Sequence, residues 1–186
     1  MNSYTQTERQ LLLKVVDDVI KYGVKYRRVM PIDVDVYPAK FTTLGASFVT
    51  LELDGQLRGC IGSLLAYRPL ILDIACNAFA AAFQDHRFCP ITQDECLSLT
   101  KHISILGKPE LVNFTTEEDL IAKLRPNIDG LVLSDDGYRG TFLPSVWEQL
   151  PNPKMFLQHL KMKAGLPADY WSNTIKVERY TTEVIE

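Results

Sequence analysis

Residues 46 to 62, ASFVTLELDGQLRGCIG, alternate apolar and polar side chains on both sides of Asp54-Gly55, and this leaves the chain few ways to fold. Asp-Gly supplies the backbone of a tight hairpin turn, and a period of two puts one face of each flanking strand in a core. The sequence therefore predicts an antiparallel hairpin here and a second at residues 130 to 144, GLVLSDDGYRGTFLP, about Asp136-Gly137. In the first hairpin, a three-residue loop of Leu53-Asp54-Gly55 with Gly55 left-handed sets Leu57 opposite Leu51 and Arg58 opposite Thr50. Val49, Leu51, Leu57 and Ile61 then share one face, and Thr50, Glu52, Arg58 and Cys60 the other. A two-residue Asp-Gly turn mixes apolar and charged side chains on both faces, so the pattern disfavours it.

The rest of the chain interleaves helices with these strands. Residues 5 to 28 place Leu12, Val15, Val16, Val19, Ile20 and Val24 at three- and four-residue spacings, an amphipathic helix. Residues 29 to 45 carry Pro31 and Pro38 and no period, and are expected to be irregular. RPLILDIACNAFAAAFQD, 68 to 85, reads as a helix with Pro69 in its first turn and a run from Ala78 to Ala82 suited to close packing. TQDE at 92 to 95 and TTEE at 115 to 118 are capping boxes opening short helices. A strand is expected from Lys101 towards Gly107, a helix from Pro153 stopped by Gly165 and Pro167, and one closing strand over residues 173 to 185. Hairpins and helices without a regular βαβ alternation give an α+β fold with a mainly antiparallel sheet flanked by helices. With 186 residues, the chain is expected to be one domain, 1 to 186, with at most a small packed subdomain.

Composition narrows the function classes. Apolar residues are 46% and charged residues 23%, so disorder is not expected, and a formal net charge of −3 argues against a general nucleic-acid binder. Lys21, Lys25, Arg27 and Arg28 are read as a solvated helix end in preference to a phosphate-binding patch. The N-terminus lacks a signal peptide and no apolar run approaches the roughly 20 residues of a membrane span, so a cytoplasmic location is expected and no membrane partner. Cys60, Cys76, Cys89 and Cys96 are too widely spaced for C-x-x-C chemistry and are expected to be free thiols. GxGxxG, P-loop and GxSxG motifs are absent, which leaves a nucleotide fold or a serine hydrolase unsupported. Histidine spacing suggests no metal pair, and no cofactor is expected.

The stretch that asks for chemistry is LRGCIG, 57 to 62. Glycine weakens a strand unless close approach is wanted, and a cation beside a thiol favours its thiolate. Cys60 is thus the catalytic candidate, Arg58 the anion anchor beside it, and Gly59 and Gly62 candidate binding positions that leave room for a ligand near the backbone. The alternative is a buried strand cysteine whose glycines admit the Ala-rich helix. Asp85 and Arg87, in DHRFCP, are binding candidates at a helix-to-loop corner, or else a salt bridge fixing that corner. His86 is a possible general base in type, but a lone loop histidine is more often a bystander.

LRGCIG, the Ala-rich helix after it, D-x-RF-x-P, ISIL, GTFLPSVWEQL and FLQHLKMKAGLP-x-x-YW, in this order over nearly the whole chain, resemble the AMMECR domain family, whose prokaryotic branch is protein A of the AmmeMemoRadiSam system. The resemblance implies an α+β fold with a smaller subdomain packed on the main sheet. It implies an enzyme or enzyme component acting on a polar or anionic small molecule or an RNA group, or else a non-catalytic ligand- or protein-binding module; DNA is not expected. Memo-type and radical-SAM proteins are the implied partners. The chain has no C-x-x-x-C-x-x-C run, so radical chemistry would reside in a partner. It departs from the family at His86 and Cys89, where DPRFPP is frequent, and at Lys161, where a cysteine is frequent.

Overall fold

In the computed structural model, which describes residues 3–186, the amphipathic N-terminal stretch forms α1 (Gln6–Tyr26). The Thr5 hydroxyl accepts the Glu8 N–H and the Glu8 carboxylate accepts the Thr5 N–H, a reciprocal cap that fixes where the helix starts. Leu12, Val15, Val16, Val19 and Ile20 line its buried face. The irregular segment holds a 3₁₀ turn at Val34–Val36, the single-turn helix α2 (Ala39–Thr42) and strand β1 (Leu44–Gly45). Strands β2 (Ser47–Leu53) and β3 (Gln56–Gly62) form the expected hairpin, and β4 (Arg68–Pro69) pairs with β1 and leads into α3 (Leu70–Phe83). Pro69 caps this helix instead of lying inside its first turn. Then follow β5 (Leu99–Leu106), β6 (Glu110–Leu111), α4 (Glu117–Lys123), β7 (Gly130–Asp135), β8 (Tyr138–Phe142), α5 (Pro153–Ala164), β9 (Lys176–Tyr180) and β10 (Thr182–Ile185).

The chain forms two compact units. One holds the described residues up to Leu106 together with Glu183–Glu186, and the other is Gly107–Thr182. In the first, the sheet runs β10-β5-β2-β3, with β2 antiparallel to both of its neighbours. Helix α3 lies across β2 and β3 and packs on α1, and the core joins Val16, Val19 and Ile20 to Leu51, Ile74, Ala78 and Ile103. In the second, the sheet runs β6-β9-β7-β8, with α5 packed on β7 and β8. Its core centres on Trp147 and Phe156, stacked at 3.7 Å, with the Trp147 Nε1–H donated to the Asp129 carbonyl at 2.7 Å. The fold is α+β.

Two expectations about strands need correction. The hairpin turn has two residues: Asp54 and Gly55 both have positive φ, 51° and 73°, and Leu53 pairs with Gln56 and Glu52 with Leu57. Pairing then jumps to Leu51 with Gly59, so Arg58 is the extra residue of a β-bulge. A tight turn of this kind matches strand twist, and the bulge resets the alternation before the core register begins. Leu57, 43% exposed, therefore shares a face with Glu52 and is not part of the core face, while Ile61 keeps the expected face but pairs with Val49, and Cys60 takes the place opposite Thr50 expected for Arg58. The expected closing strand is two strands, β9 and β10, belonging to different sheets on either side of Thr181.

The four cysteines are free thiols, and no helix among the described residues is long and apolar enough to cross a membrane. Lys21, Lys25, Arg27 and Arg28 are exposed at the end of α1, with Lys25 and Arg28 over the rings of Tyr26 and Tyr22 at 5.0 and 5.9 Å.

Candidate functional site

Strand β3 is the edge of its sheet, and an edge strand leaves N–H and C=O groups without a neighbouring strand. The corner after α3 supplies the missing partners. Asp85 is buried and its Oδ2 accepts the Cys60 N–H at 2.9 Å, while Arg87 Nη2 donates to the Cys60 carbonyl at 3.4 Å. Arg87 also grips Asp85 through Nε and Nη2, at 3.0 and 2.7 Å. A carboxylate and a guanidinium thus stand where the next strand would be. The Arg87 guanidinium, helped by the N–H groups of Cys60 and Arg87, holds the Asp85 carboxyl well below the usual carboxylate range against the opposing effect of burial. Asp85 in turn raises Arg87, with a smaller contribution from Cys60.

Arg58 is engaged elsewhere. Its guanidinium donates to Glu95 from Nε at 2.8 Å and Nη2 at 3.2 Å, and from Nη1 to the Cys89 carbonyl at 2.8 Å. Glu95 also accepts the Thr92 N–H at 2.8 Å, so TQDE makes a capping contact before a 3₁₀ turn at Glu95–Leu97. Arg58 holds the Glu95 carboxyl below its ordinary value. The expectation of Arg58 as a free anion anchor is therefore corrected: its charge is matched by Glu95, and the bulge is what turns it to the segment 89 to 95.

The two glycines do not open space for a ligand. A Cβ at Gly59 would lie 2.2 Å from the Ala81 carbonyl oxygen of α3, and one at Gly62 would lie 2.2 Å from the Phe48 ring. Gly59 permits the helix to approach the sheet, and Gly62 makes room for its cross-strand aromatic partner. Cys60 is half-buried, and its Sγ accepts a hydrogen bond from the Thr50 hydroxyl at 3.2 Å. Thr50 pairs with Cys60 on one side and His102 on the other, so the three side chains share one face of the sheet. His102 lies between Glu52 and Glu186, at 3.6 and 3.3 Å. His86 is exposed at the corner, and among the described residues no group of three His, Cys, Asp or Glu is placed to hold a metal ion.

The structure thus joins Cys60, Asp85 and Arg87 directly and places Arg58 one bond network away. It also shows a polar centre that the sequence reading passed over. Asp73, fully buried in α3, accepts from the Ser47 N–H and hydroxyl, the Ser63 hydroxyl, Arg68 Nε and Asn77 Nδ2 at 2.7 to 2.9 Å. The available signal was Asp73 and Asn77, four residues apart in the otherwise apolar LILDIACNAF, which puts both on one face of the helix. This network pins α3 to β2 and to the start of the β4 segment.

The AMMECR1 family profile matches residues 13–185. Protein MJ0810 of Methanocaldococcus jannaschii is 33% identical over 181 residues, covering 89% of this chain and 88% of that protein. A protein of Thermotoga maritima is 35% identical over 173 residues, with 92% of each chain covered. The crystal structure of the uncharacterized protein PH0010 from Pyrococcus horikoshii superposes with a TM-score of 0.83 at 30% identity, over 94% of this chain and 88% of that one. On these matches the chain belongs to the AMMECR1 family.

Proposed function

We propose that this protein is a binding module that takes a polar small molecule along the edge of β3, where Arg87 and Cys60 meet it, and that it carries out no thiol chemistry by itself. The supporting observation is charge pairing. Arg58 is matched by Glu95 and Arg87 by Asp85, which leaves the cluster no surplus positive charge for a free anion. Arg87 is the cation with an outward face, its side chain 56% exposed while Asp85 fixes its orientation. In the setting that the family resemblance implies, Memo-type and radical-SAM proteins are the partners, and any redox step belongs to them.

A second reading, Cys60 as nucleophile, has one observation in its favour: Sγ accepts a hydrogen bond from the Thr50 hydroxyl on the face of the sheet that it shares with His102. One experiment separates the two. The protein is incubated with a cellular metabolite extract, desalted and weighed under native conditions. Binding without turnover predicts a non-covalent small molecule of unchanged mass, lost in Arg87→Gln, kept in Arg58→Gln, and slowing iodoacetamide labelling of Cys60. A covalent adduct on Cys60, or a product whose formation stops in Cys60→Ser, would overturn the binding reading in favour of an enzyme. Retention of RNA fragments in place of a small molecule would replace the ligand class.

A further inference from the structure

The second unit carries a cleft that the β3 edge does not explain. It is open to solvent and offers about 970 Å³ between the tip of the β7–β8 hairpin and the loop that enters β9, a volume within the range of small-molecule sites. Its walls are fixed. Asp136 and Gly137 make the turn with φ of 43° and 84°, and Asp135 accepts from the Tyr170 hydroxyl at 2.9 Å, from Thr174 Oγ1 at 2.8 Å and from the Ser172 hydroxyl. These bonds hold the β9 loop to the hairpin and use up the Asp135 carboxylate.

What they leave is a row of three side chains. Ser134 pairs with Arg139 on β8 and with Lys176 on β9, and cross-strand partners share a face, so a hydroxyl sits between two cations. With strands about 4.8 Å apart, the two backbones are roughly 10 Å apart, a span that these long side chains close over one anionic group. Arg139 and Lys176 are both exposed and line the cleft, and neither has an acidic partner among the described residues. Besides the engaged Asp135, the acid in the wall is Asp136, exposed at the turn and itself without a side-chain partner among the described residues. Tyr138, 49% exposed, lines the cleft from the other face of the sheet, where it pairs with Asp135.

The geometry points to a binding site for a small phosphorylated polyol, with its phosphate between Arg139 and Lys176 on the Ser134 hydroxyl and its hydroxyls towards Asp136. A guanidinium, an ammonium and a hydroxyl together match three phosphate oxygens, and a lone carboxylate accepts from sugar hydroxyls. A dianion with nothing to donate would be repelled by Asp136. A neutral sugar would leave the two cations without a partner. The site is independent of the β3 edge, and its failure would leave that proposal unaffected.

The test uses inorganic phosphate and ribose 5-phosphate as probes, titrated into the full chain at constant ionic strength while amide NMR shifts are followed. Ribose 5-phosphate should move the amides of Ser134, Asp136, Arg139 and Lys176 together and bind more tightly than phosphate. Arg139→Gln and Lys176→Gln should each weaken it about tenfold or more. Asp136→Asn should erase the advantage of ribose 5-phosphate over phosphate. All three residues are exposed, so the unchanged amide spectrum of each variant verifies its fold. Shifts spread over surface lysines and arginines at large, identical affinities for the two probes, or binding unchanged in Arg139→Gln would overturn the assignment. Binding of a short single-stranded RNA where ribose 5-phosphate fails would overturn it as well.

Discussion

Gly59 and Gly62 lie three residues apart in one strand, yet a methyl group would meet different obstacles at each. At Gly59 the obstacle is the main chain of α3 at Ala81, which cannot yield without moving the helix. At Gly62 it is the Phe48 ring from Cγ outward, which must change its χ1 rotamer to leave but can do so without moving the main chain. Gly59→Ala is therefore expected to cost about 1–3 kcal/mol in urea unfolding and Gly62→Ala less; equal costs would mean that α3 can lift from the sheet. Asp85 is the titrating partner of the same strand. Its carboxyl is held low in the folded chain, so the stability it contributes is complete above its unfolded value near 3.9 and declines as pH falls below that towards its folded value. The urea-midpoint gap between wild type and Asp85→Asn should accordingly be widest near neutral pH and narrow below about pH 4. A gap constant down to acid pH would assign Asp85 a role in shape and not in charge. Of this site, the residue types at Cys60, Asp85 and Arg87 could be singled out in the sequence, because each is chemically unusual where it stands. The partner of Arg58 could not be read, because Glu95 is brought to it by a bulge, and a bulge depends on the strand opposite.

At the scale of elements, local signals were the legible ones. Both Asp-Gly hairpins, the periodic helix α1 and the Gly165 stop of α5 are encoded within a few residues of where they act, and all are present. The break at Thr181 has no such mark: TIKVERYTTEVI contains no glycine, proline, asparagine or aspartate to signal a turn, and only the competition of two separate sheets for its ends divides it. The turn itself can be tested. Gly55 has φ of 73° with nothing within 4 Å of a built Cβ, so Gly55→Ala isolates backbone strain and should lose roughly 1–2 kcal/mol by urea titration. A neutral outcome would mean that the turn relaxes to another type. Strand β10 offers a second check, since Arg9 on α1 donates to the Val184 carbonyl at 2.8 Å and pairs with Glu183 at 2.6 Å. In Arg9→Met the β10 amides should exchange with deuterium faster while those of β2 keep their protection.

For the whole molecule, the decisive feature is that the chain leaves one unit, builds a second and returns. The Gly107 N–H donates to the Thr181 carbonyl at 2.8 Å, so the excursion closes on itself at its base. Each unit has its own sheet and its own apolar core. The intervening unit is the smaller, and small units bury a smaller fraction of their surface, so in denaturant it is expected to lose structure first. The composition happens to supply the instruments. Both tryptophans, Trp147 and Trp171, belong to the stretch from Gly107 to Thr182, and all four cysteines, Cys60, Cys76, Cys89 and Cys96, precede it. Indole emission therefore listens to one unit and thiol accessibility to the other, with no label added. A fluorescence transition preceding thiol exposure would give two melting events in one chain, and superposed curves would show a single cooperative body. The same division means that a fluorescence-based ligand screen would be blind to the first unit, and a cysteine-directed covalent library blind to the second.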